Sequence, residues 1–366
     1  MKIQVGRNEL LTAVQAVIGV VERRQTLPVL SNLLLDAQKD ELVITGTDLE
    51  LELVSRAVIK CTASGKTTVP ARKLFDICRG LPEGADLTLD SSGDKLVLKS
   101  GKSRFTLATL KPDEFPSLGT VPAAKVVRIA KKDLRALIEK TQFAMANQDV
   151  RYYLNGMLLH VTAKRIRAVA TDGHRLAMSE LALDTTLKEE SQIIVPRKAV
   201  LELLRLLEPN DDTVELRIAD NQFQADLDVI RLTSKLIDGR FPDYERVIPE
   251  GGDKHLKANR ERVRSALSRT AILSNEKFRG VRLQLADGKL KLSTHNPEHE
   301  EAEEELDVNY KGAALEIGFN VNYLLDALGV MTSEEFHMEL KGPDASGLIQ
   351  DSAGGGAKYV VMPMRL

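Results

Sequence analysis

One arrangement of elements is written three times along the 366 residues. Each third opens on an amphipathic helix pattern, over residues 8–21, 132–145 and 260–273. Leu10, Val14, Val17, Ile18 and Val21 share one face of the first, Leu134, Leu137, Ile138 and Thr141 of the second, and Val263, Ala266, Leu267 and Ile272 of the third. A strand pair follows in each, over 32–35 and 42–48, 155–159 and 166–172, and 280–285 and 290–295. Thr47, Thr171 and Thr294 stand near the strand ends, 124 and 123 residues apart. A second helix pattern covers 71–79, 197–207 and 321–328, with Pro70 and Pro196 at the first two entries, 126 apart. Further strands close each third at Phe115-Pro116, Phe241-Pro242 and Met362-Pro363. So long a period excludes a solenoid, whose repeats run to about 20–45 residues. It predicts three domains of one fold, near 1–122, 127–246 and 250–366, each with two helices and roughly eight strands, an α+β class with mainly antiparallel sheets. Proline-rich 111–125 reads as the first linker and Pro249-Glu-Gly-Gly-Asp253 as the second.

Hydrophobic residues make up 43% of the chain and charged residues 28%, enough for ordinary cores. Tryptophan is absent, so packing must be mostly aliphatic. The net charge of −2 argues against holding nucleic acid by bulk charge, but leaves room for a local basic stripe. Two cysteines, Cys61 and Cys78, without metal-like spacing predict a reducing compartment. With no apolar run of membrane-spanning length and no signal-peptide core, the expected location is cytoplasmic, with no membrane partner.

The segment Val360-Val-Met-Pro-Met-Arg-Leu366 is unusually apolar for a terminus. Val360 and Val361 suit a strand docked in its own sheet. Pro363 cannot donate to a ladder, and Met362 and Met364 offer adaptable contacts, so the rest suits the wall of a binding groove. Cations lie on or beside the repeated helices and loops, among them Arg23, Arg24, Arg72, Lys73, Arg79, Arg151, Arg197 and Lys198. Dispersed cations of this kind contact phosphates without reading sequence. Tyr152 and Tyr153 beside Arg151 suit base stacking or half-buried packing. Three tandem domains also leave sheet edges to be covered. Phe105 and Leu107 lie beside Lys99, Lys102 and Arg104; Ile272 and Leu273 end a helix near the acidic run Glu298, Glu300, Glu301, Glu303, Glu304, Glu305 and Asp307. Such opposed charges can steer head to tail.

Several stretches together resemble the bacterial sliding clamps, the β subunits of DNA polymerase III. They are Thr26-Leu-Pro-Val-Leu, Thr45-Gly-Thr-Asp-Leu-Glu, Val69-Pro-Ala-Arg-Lys, Asp149-Val-Arg-Tyr-Tyr-Leu-Asn-Gly-Met-Leu, Ala170-Thr-Asp-Gly-His-Arg-Leu, Asp238-Gly-Arg-Phe-Pro-Asp-Tyr, Leu273-Ser-Asn-Glu-Lys-Phe-Arg-Gly-Val and Tyr359-Val-Val-Met-Pro-Met-Arg-Leu. The resemblance implies three clamp domains, each two helices packed on antiparallel sheets, closing as a head-to-tail homodimeric ring of six domains around double-stranded DNA. It implies no catalytic residue, no cofactor and no metal. The partners it implies are the polymerase III α subunit, the clamp loader, other DNA polymerases and repair proteins, held through short linear peptides. The implied peptide groove is Leu154, Thr171, Gly173, His174, Arg175, Leu176, Pro242, Arg246, Val247, Val360, Val361, Met362, Pro363, Met364 and Arg365, with the arginines as donors. DNA-facing residues would be Arg24, Gln148, Arg151, Tyr152 and Tyr153, with Arg72, Arg79, Arg197 and Lys198 adding charge. The dimer contact would join Lys73, Lys99, Lys102, Arg104, Phe105 and Leu107 to Ile272, Leu273, Glu298, Glu300, Glu301 and Glu304.

Other classes remain to be weighed. Thr171-Asp-Gly-His-Arg175 invites an Asp/His catalytic reading, but no Gly-x-Ser-x-Gly elbow or phosphate-binding loop accompanies it. Asp48 repeats Asp172 without a histidine, which points to a turn role. The six histidines are dispersed, without His-x-x-x-His spacing. A three-domain phosphoesterase and a monomeric scaffold are the alternatives.

Overall fold

The computed structural model describes residues 1–22, 27–119, 121, 125–185, 187–352 and 356–365. The first third contains β1 (Lys2–Gly6), α1 (Arg7–Val17), β2 (Asn32–Gln38), β3 (Glu41–Thr47), β4 (Leu51–Val58), β5 (Lys60–Ala63), β6 (Gly65–Pro70), α2 (Ala71–Gly80), β7 (Asp86–Ser92), β8 (Lys95–Ser100) and β9 (Ser103–Ala108). The middle third contains β10 (Lys125–Ala130), α3 (Lys131–Glu139), β11 (Gly156–Val161), β12 (Arg165–Thr171), β13 (Arg175–Ala182), β14 (Ser191–Pro196), α4 (Arg197–Leu206), β15 (Thr213–Ile218), β16 (Gln222–Leu227) and β17 (Ile230–Lys235). The last contains β18 (Lys254–Asn259), α5 (Arg260–Thr270), β19 (Gly280–Ala286), β20 (Lys289–His295), β21 (Glu301–Asp307), β22 (Asn309–Lys311), β23 (Leu315–Asn320), α6 (Val321–Val330), β24 (Glu335–Leu340), β25 (Gly347–Asp351) and β26 (Ala357–Val361).

The opening helices are shorter than their periodicity predicts. α1, α3 and α5 stop at Val17, Glu139 and Thr270, and 3-10 turns Ile18–Val20, Gln142–Ala144 and Ala271–Leu273 carry the pattern on. Hydroxyls assist two of these endings: Thr141 Oγ1 donates to the Leu137 carbonyl at 2.7 Å, and Thr270 Oγ1 to Ala266 at 2.9 Å. A 3-10 turn keeps the same hand, so spacing alone does not register the change. Ile18, Val20 and Ala144 on these turns are buried, whereas Ile272, placed by its spacing on the apolar face, is exposed. No described helix is long and apolar enough to cross a membrane.

The chain divides into two compact units. The first, Met1–Lys132 with Lys198–Leu236, holds a five-stranded sheet, β5-β1-β7-β8-β9, and an eight-stranded sheet, β10-β15-β16-β17-β4-β3-β2-β6. The second, Asp133–Arg197 with Ile237–Leu366, holds a nine-stranded sheet, β14-β11-β12-β13-β26-β25-β24-β18-β22, and a four-stranded sheet, β21-β20-β19-β23.

The two long sheets are each formed by edge pairing between successive thirds. β4 pairs antiparallel with β17, placing Leu53 opposite Leu232 and Val54 opposite Arg231. β13 pairs with β26 in the same way, placing Ala177 opposite Tyr359 and Met178 opposite Lys358. Ladders within the thirds identify equivalent positions: Ile3–Leu89–Leu98–Phe105, Val127–Leu216–Ala225–Leu232 and Leu256–Met338–Ile349–Tyr359. Phe105 on β9 therefore corresponds to Leu232 and Tyr359. β9 and β21 occupy sheet edges, although their counterparts in the other thirds are paired.

Candidate functional site

The Thr-Asp segments after β3 and β12 are turns with the same hydrogen bonds. Thr171 Oγ1 donates to the Arg175 carbonyl at 2.6 Å and accepts from Gly173 N at 3.1 Å. Asp172 Oδ1 accepts from His174 N and Arg175 N at 2.9 and 3.0 Å. Thr47 and Asp48 repeat this with Leu51, Leu49 and Glu50. Asp172 is thereby occupied as a turn former. In the last third the equivalence is one residue off the sequence alignment. Asn296 Oδ1 accepts from Glu300 N at 2.9 Å, so Asn296 matches Asp172 and His295, not Thr294, matches Thr171. Thr294 Oγ1 instead donates to the Gly280 carbonyl at 2.7 Å.

Within the second unit, β26 lies between β13 and β25, so Val360 and Val361 are core residues at 1% exposure. The tail then leaves the ladder. Met362 N donates to the His174 carbonyl and Met364 N to Gly318, both at 2.9 Å, and Pro363 between them has no donor to lose. Met362 is 41% exposed, and Met364 and Arg365 line a cleft of about 780 Å³ with Phe278, Arg282, Thr294 and His295. A separate apolar cluster contains Leu176, Val360, Leu348, Phe241 and Tyr244, with Val247, Ile248 and Tyr153 half-buried against it. Leu154, Leu176 and Val360, expected to offer apolar surface, are buried, as is Val361. Met362 and Pro242 are exposed and Val247 is half-buried.

Arg175 was expected to donate to a peptide; its donors are engaged within the unit. Nε donates to Asp172 Oδ2 at 3.1 Å, Nη1 to Asp326 Oδ2 at 2.5 Å and Nη2 to the Phe143 carbonyl at 2.8 Å. The guanidinium lies 4.5 Å from the Tyr323 ring centroid and 5.2 Å from that of Phe143. Arg246 and Arg365 are exposed, with Arg246 3.0 Å from Asp243.

The 3-10 turn Glu245–Val247, which carries Arg246 and Val247, is held by a polar chain. Arg167 Nη1 donates to Tyr244 Oη at 2.9 Å, so that hydroxyl donates onward to His160 Nδ1 at 2.9 Å. His160 Nε2 then carries the proton toward Glu190 at 3.2 Å. Burial opposes the charge on Arg167, but its bonds to Glu180, Tyr244 and Glu245 outweigh it and raise its pKa.

The expected DNA-facing loop belongs to the second unit. Gln148 takes a left-handed φ of 57°, and Tyr152 is 58% exposed while Tyr153 packs on the cluster above. Arg151 donates to both Asp149 oxygens, at 3.0 and 2.9 Å, and to the Asp172 carbonyl at 3.2 Å. The Arg151 bonds hold the Asp149 carboxyl down at about 2. Gly173 has φ 89°, and a Cβ there would meet Arg151 Nη1 at 2.8 Å, which joins this loop to the Thr171–Arg175 turn. Arg197 Nη1 donates to the Met145 carbonyl at 3.0 Å. In the first unit, Arg72 reaches the Val21 carbonyl at 3.3 Å and Arg79 pairs with Asp76 at 3.3 Å. Lys198 is engaged by Asp48, Glu22 and the Val20 carbonyl at 2.5, 2.7 and 3.1 Å, so its charge is largely matched locally. Arg23 and Arg24 lie outside the described residues.

On β9, Arg104 is exposed and Phe105 half-buried, whereas Leu107, expected at a contact surface, is buried within its own fold. Lys73, Lys99 and Lys102 are exposed in the same unit. In the other unit Ile272 is 75% exposed and Leu273 half-exposed. Glu298, Glu300 and Glu301 are exposed. The acidic run is partly matched: Glu304 pairs with Arg269, Glu303 with Lys291 and Glu305 with Lys289. One grouping escaped the sequence reading, which expected no metal site. His255 on β18 and His337 and Glu339 on β24 come together because their strands are neighbours. The His-x-Glu spacing on a strand was the available signal.

Three family models match the chain in order: the N-terminal, central and C-terminal domains of the DNA polymerase III beta subunit, over residues 1–119, 128–243 and 245–365. The chain belongs to the DNA polymerase III beta-subunit family. It is 52% identical to the beta sliding clamp of Pseudomonas putida and 49% identical to that of Escherichia coli, each over 100% of both chains. A crystal structure of the DNA polymerase sliding clamp from Pseudomonas aeruginosa with ligand matches with a TM-score of 0.97 at 51% identity, over 100% of both chains. A sliding clamp from the same organism bound to griselimycin matches with a TM-score of 0.97 at 52% identity, again over 100% of both. The fold is thus three tandem clamp domains, and the phosphoesterase and scaffold alternatives find no support among these relatives.

Proposed function

We propose that the chain is a processivity factor: two copies close head to tail into a ring of six clamp domains that encircles duplex DNA and tethers DNA polymerases, the clamp loader and repair proteins. The domains are bounded near 1–122, 127–246 and 250–366. The observation that carries the reading is the twice-repeated edge junction with one junction left unmade. β4 takes β17 and β13 takes β26, which leaves β21 needing a strand of the β9 type. Repeating the same register sets Phe105 opposite Ala302 of the partner subunit, Arg104 opposite the partner's Glu303, and Thr106 opposite the partner's Glu301. Cation then meets carboxylate across the strands. Such a contact is heterologous, and it gives a ring when its rotation closes. Ile272 and Leu273, on the 3-10 turn that follows α5, would cover Phe105 of the partner subunit.

Ring function needs no chemistry of its own, and the Asp172–His174 segment serves a turn. Arg72, Arg79, Arg151 and Arg197, with Gln148 and the two tyrosines, supply dispersed contacts suited to sliding. The peptide site uses Met362, Pro363, Met364, Arg365, Pro242, Arg246 and Val247, and suits a short peptide with one or two apolar anchors. The decisive experiment loads the protein onto nicked circular DNA with a clamp loader and then linearises it. Release on cutting is expected; retention on linear DNA, or no retention on the circle, would end the reading.

A further inference from the structure

The solvent face of the β18–β24 pair carries a convergence of metal-ligating side chains. His255 stands directly opposite Glu339, and His337 opposite Lys257. Strand alternation puts all four on one face, with Leu256, Phe336 and Met338 buried on the other. His255 Nδ1 and His337 Nε2 are 3.2 Å apart, with the rings stacked at 18° and their centroids separated by 5.2 Å. Two imidazole nitrogens on a tetrahedral zinc, at about 2.0–2.1 Å each, stand roughly 3.3–3.4 Å apart. The pair is therefore already at bridging distance. Ligand atoms of His255, His337 and Glu339 all fall within 4.8 Å of one another, and among the described residues no other group of three His, Cys, Asp or Glu side chains does so.

We propose that His255, His337 and Glu339 bind a divalent transition-metal ion of the class that favours imidazole, such as zinc, nickel or cobalt, and so clip β18 to β24. Two nitrogens and one carboxylate suit these ions and do not suit magnesium or calcium, which prefer oxygen. Water completes the coordination, since His255 is exposed. Lys257 opposes His337, and Lys311 on β22 opposes His255, so two ammonium groups flank the site and weaken cation binding.

Zinc and nickel titrated calorimetrically into the chelator-stripped full-length chain should bind with one ion per chain. His255→Gln and His337→Gln should each abolish that stoichiometric event, and Lys257→Gln should tighten it. The melting temperature should rise with zinc in the native chain and not in the histidine variants. Absent uptake by the native chain, or uptake that persists unchanged in His337→Gln, overturns the proposal. Carbethoxylation of the native chain, read by mass spectrometry, covers the case of a misfolded variant. Zinc should protect His255 and His337 and leave exposed His299 reactive; equal labelling of all three with and without zinc refutes the site.

Discussion

Ile272 is the sharpest probe of the proposed dimer because nothing in its own chain requires its exposed surface. It is 75% exposed on the 3-10 turn Ala271–Leu273, and Leu273 beside it is half-exposed. Truncating isoleucine to alanine removes three carbons, and at about 0.8 kcal/mol per buried group the newly covered portion of Ile272 amounts to about 1.8 kcal/mol. Leu273→Ala adds roughly 1 kcal/mol on the same scale. A ring of two chains has two identical contacts, so the double variant should weaken the dimer by about 6 kcal/mol, a factor of order ten thousand in Kd. Sedimentation velocity over a dilution series reads this directly. The variant should run as a monomer at concentrations where the parent is dimeric. Its thermal melt measured on monomer should scarcely change for Ile272→Ala alone. A Kd shift of less than about tenfold for the double variant, with the fold intact, would show that this turn does not lie in the contact.

Arg175→Ala should destabilise the second unit by about 2–3 kcal/mol in urea unfolding, because Asp172, Asp326 and the Phe143 carbonyl lose their donor together. If Arg175 were mainly a ligand contact, stability would hold while peptide affinity fell. Arg151 holds Asp149 down at about 2, so its contribution to folding is present above the ordinary carboxylate range and is lost as pH falls through about 4 toward 2. The Asp149 carboxyl resonance should titrate near the bottom of that window, and return toward its ordinary value in Arg151→Ala. Removing residues 362–366 should abolish binding of a polymerase tail peptide, measured by fluorescence anisotropy, while β26 keeps its ladder and the melt stays close to the parent. In a Cys61→Ser background, Thr106→Cys with Glu301→Cys should oxidise to a covalent dimer on a non-reducing gel. Thr106→Cys with Ala302→Cys, one residue out of register and on opposite faces, should not; the reverse result would refute the junction register.

The threefold plan was legible because its signals are local. Helical periodicity, prolines at helix entries and Thr-Asp turns survive duplication with their spacing intact. What stayed hidden depends on partners distant in sequence. Arg175 reads as a free donor until Asp326, Phe143 and Tyr323 are placed around it. Lys198 reads as a phosphate contact until Asp48 and Glu22 meet it. The apolar tail was legible only by halves: β branching marked Val360 and Val361 as strand, and Pro363 marked where the ladder ends. The last third misled by one residue, since Thr294 matches Thr171 in the string while Asn296 makes the bond that defines the turn. A one-residue difference reverses which face a strand presents, and only the ladder reveals it.

Chemistry differs between the junctions made within the chain and the one assigned to two chains. Leu53 against Leu232 and Ala177 against Tyr359 are apolar pairs at fully buried positions, closed as each chain folds. In the proposed register the matching pair between chains would keep an apolar centre, Phe105 against the partner's Ala302, but would set Arg104 and the partner's Glu303 beside it. Before assembly, or when a ring opens, β9 and β21 must stand in water as bare edges. An apolar edge would then invite indiscriminate pairing, whereas charged side chains resist it. In that register the same charges would make the junction sensitive to salt and weaker than its internal counterparts. A ring built this way parts between chains and not within them, so it can open for DNA while each chain stays folded.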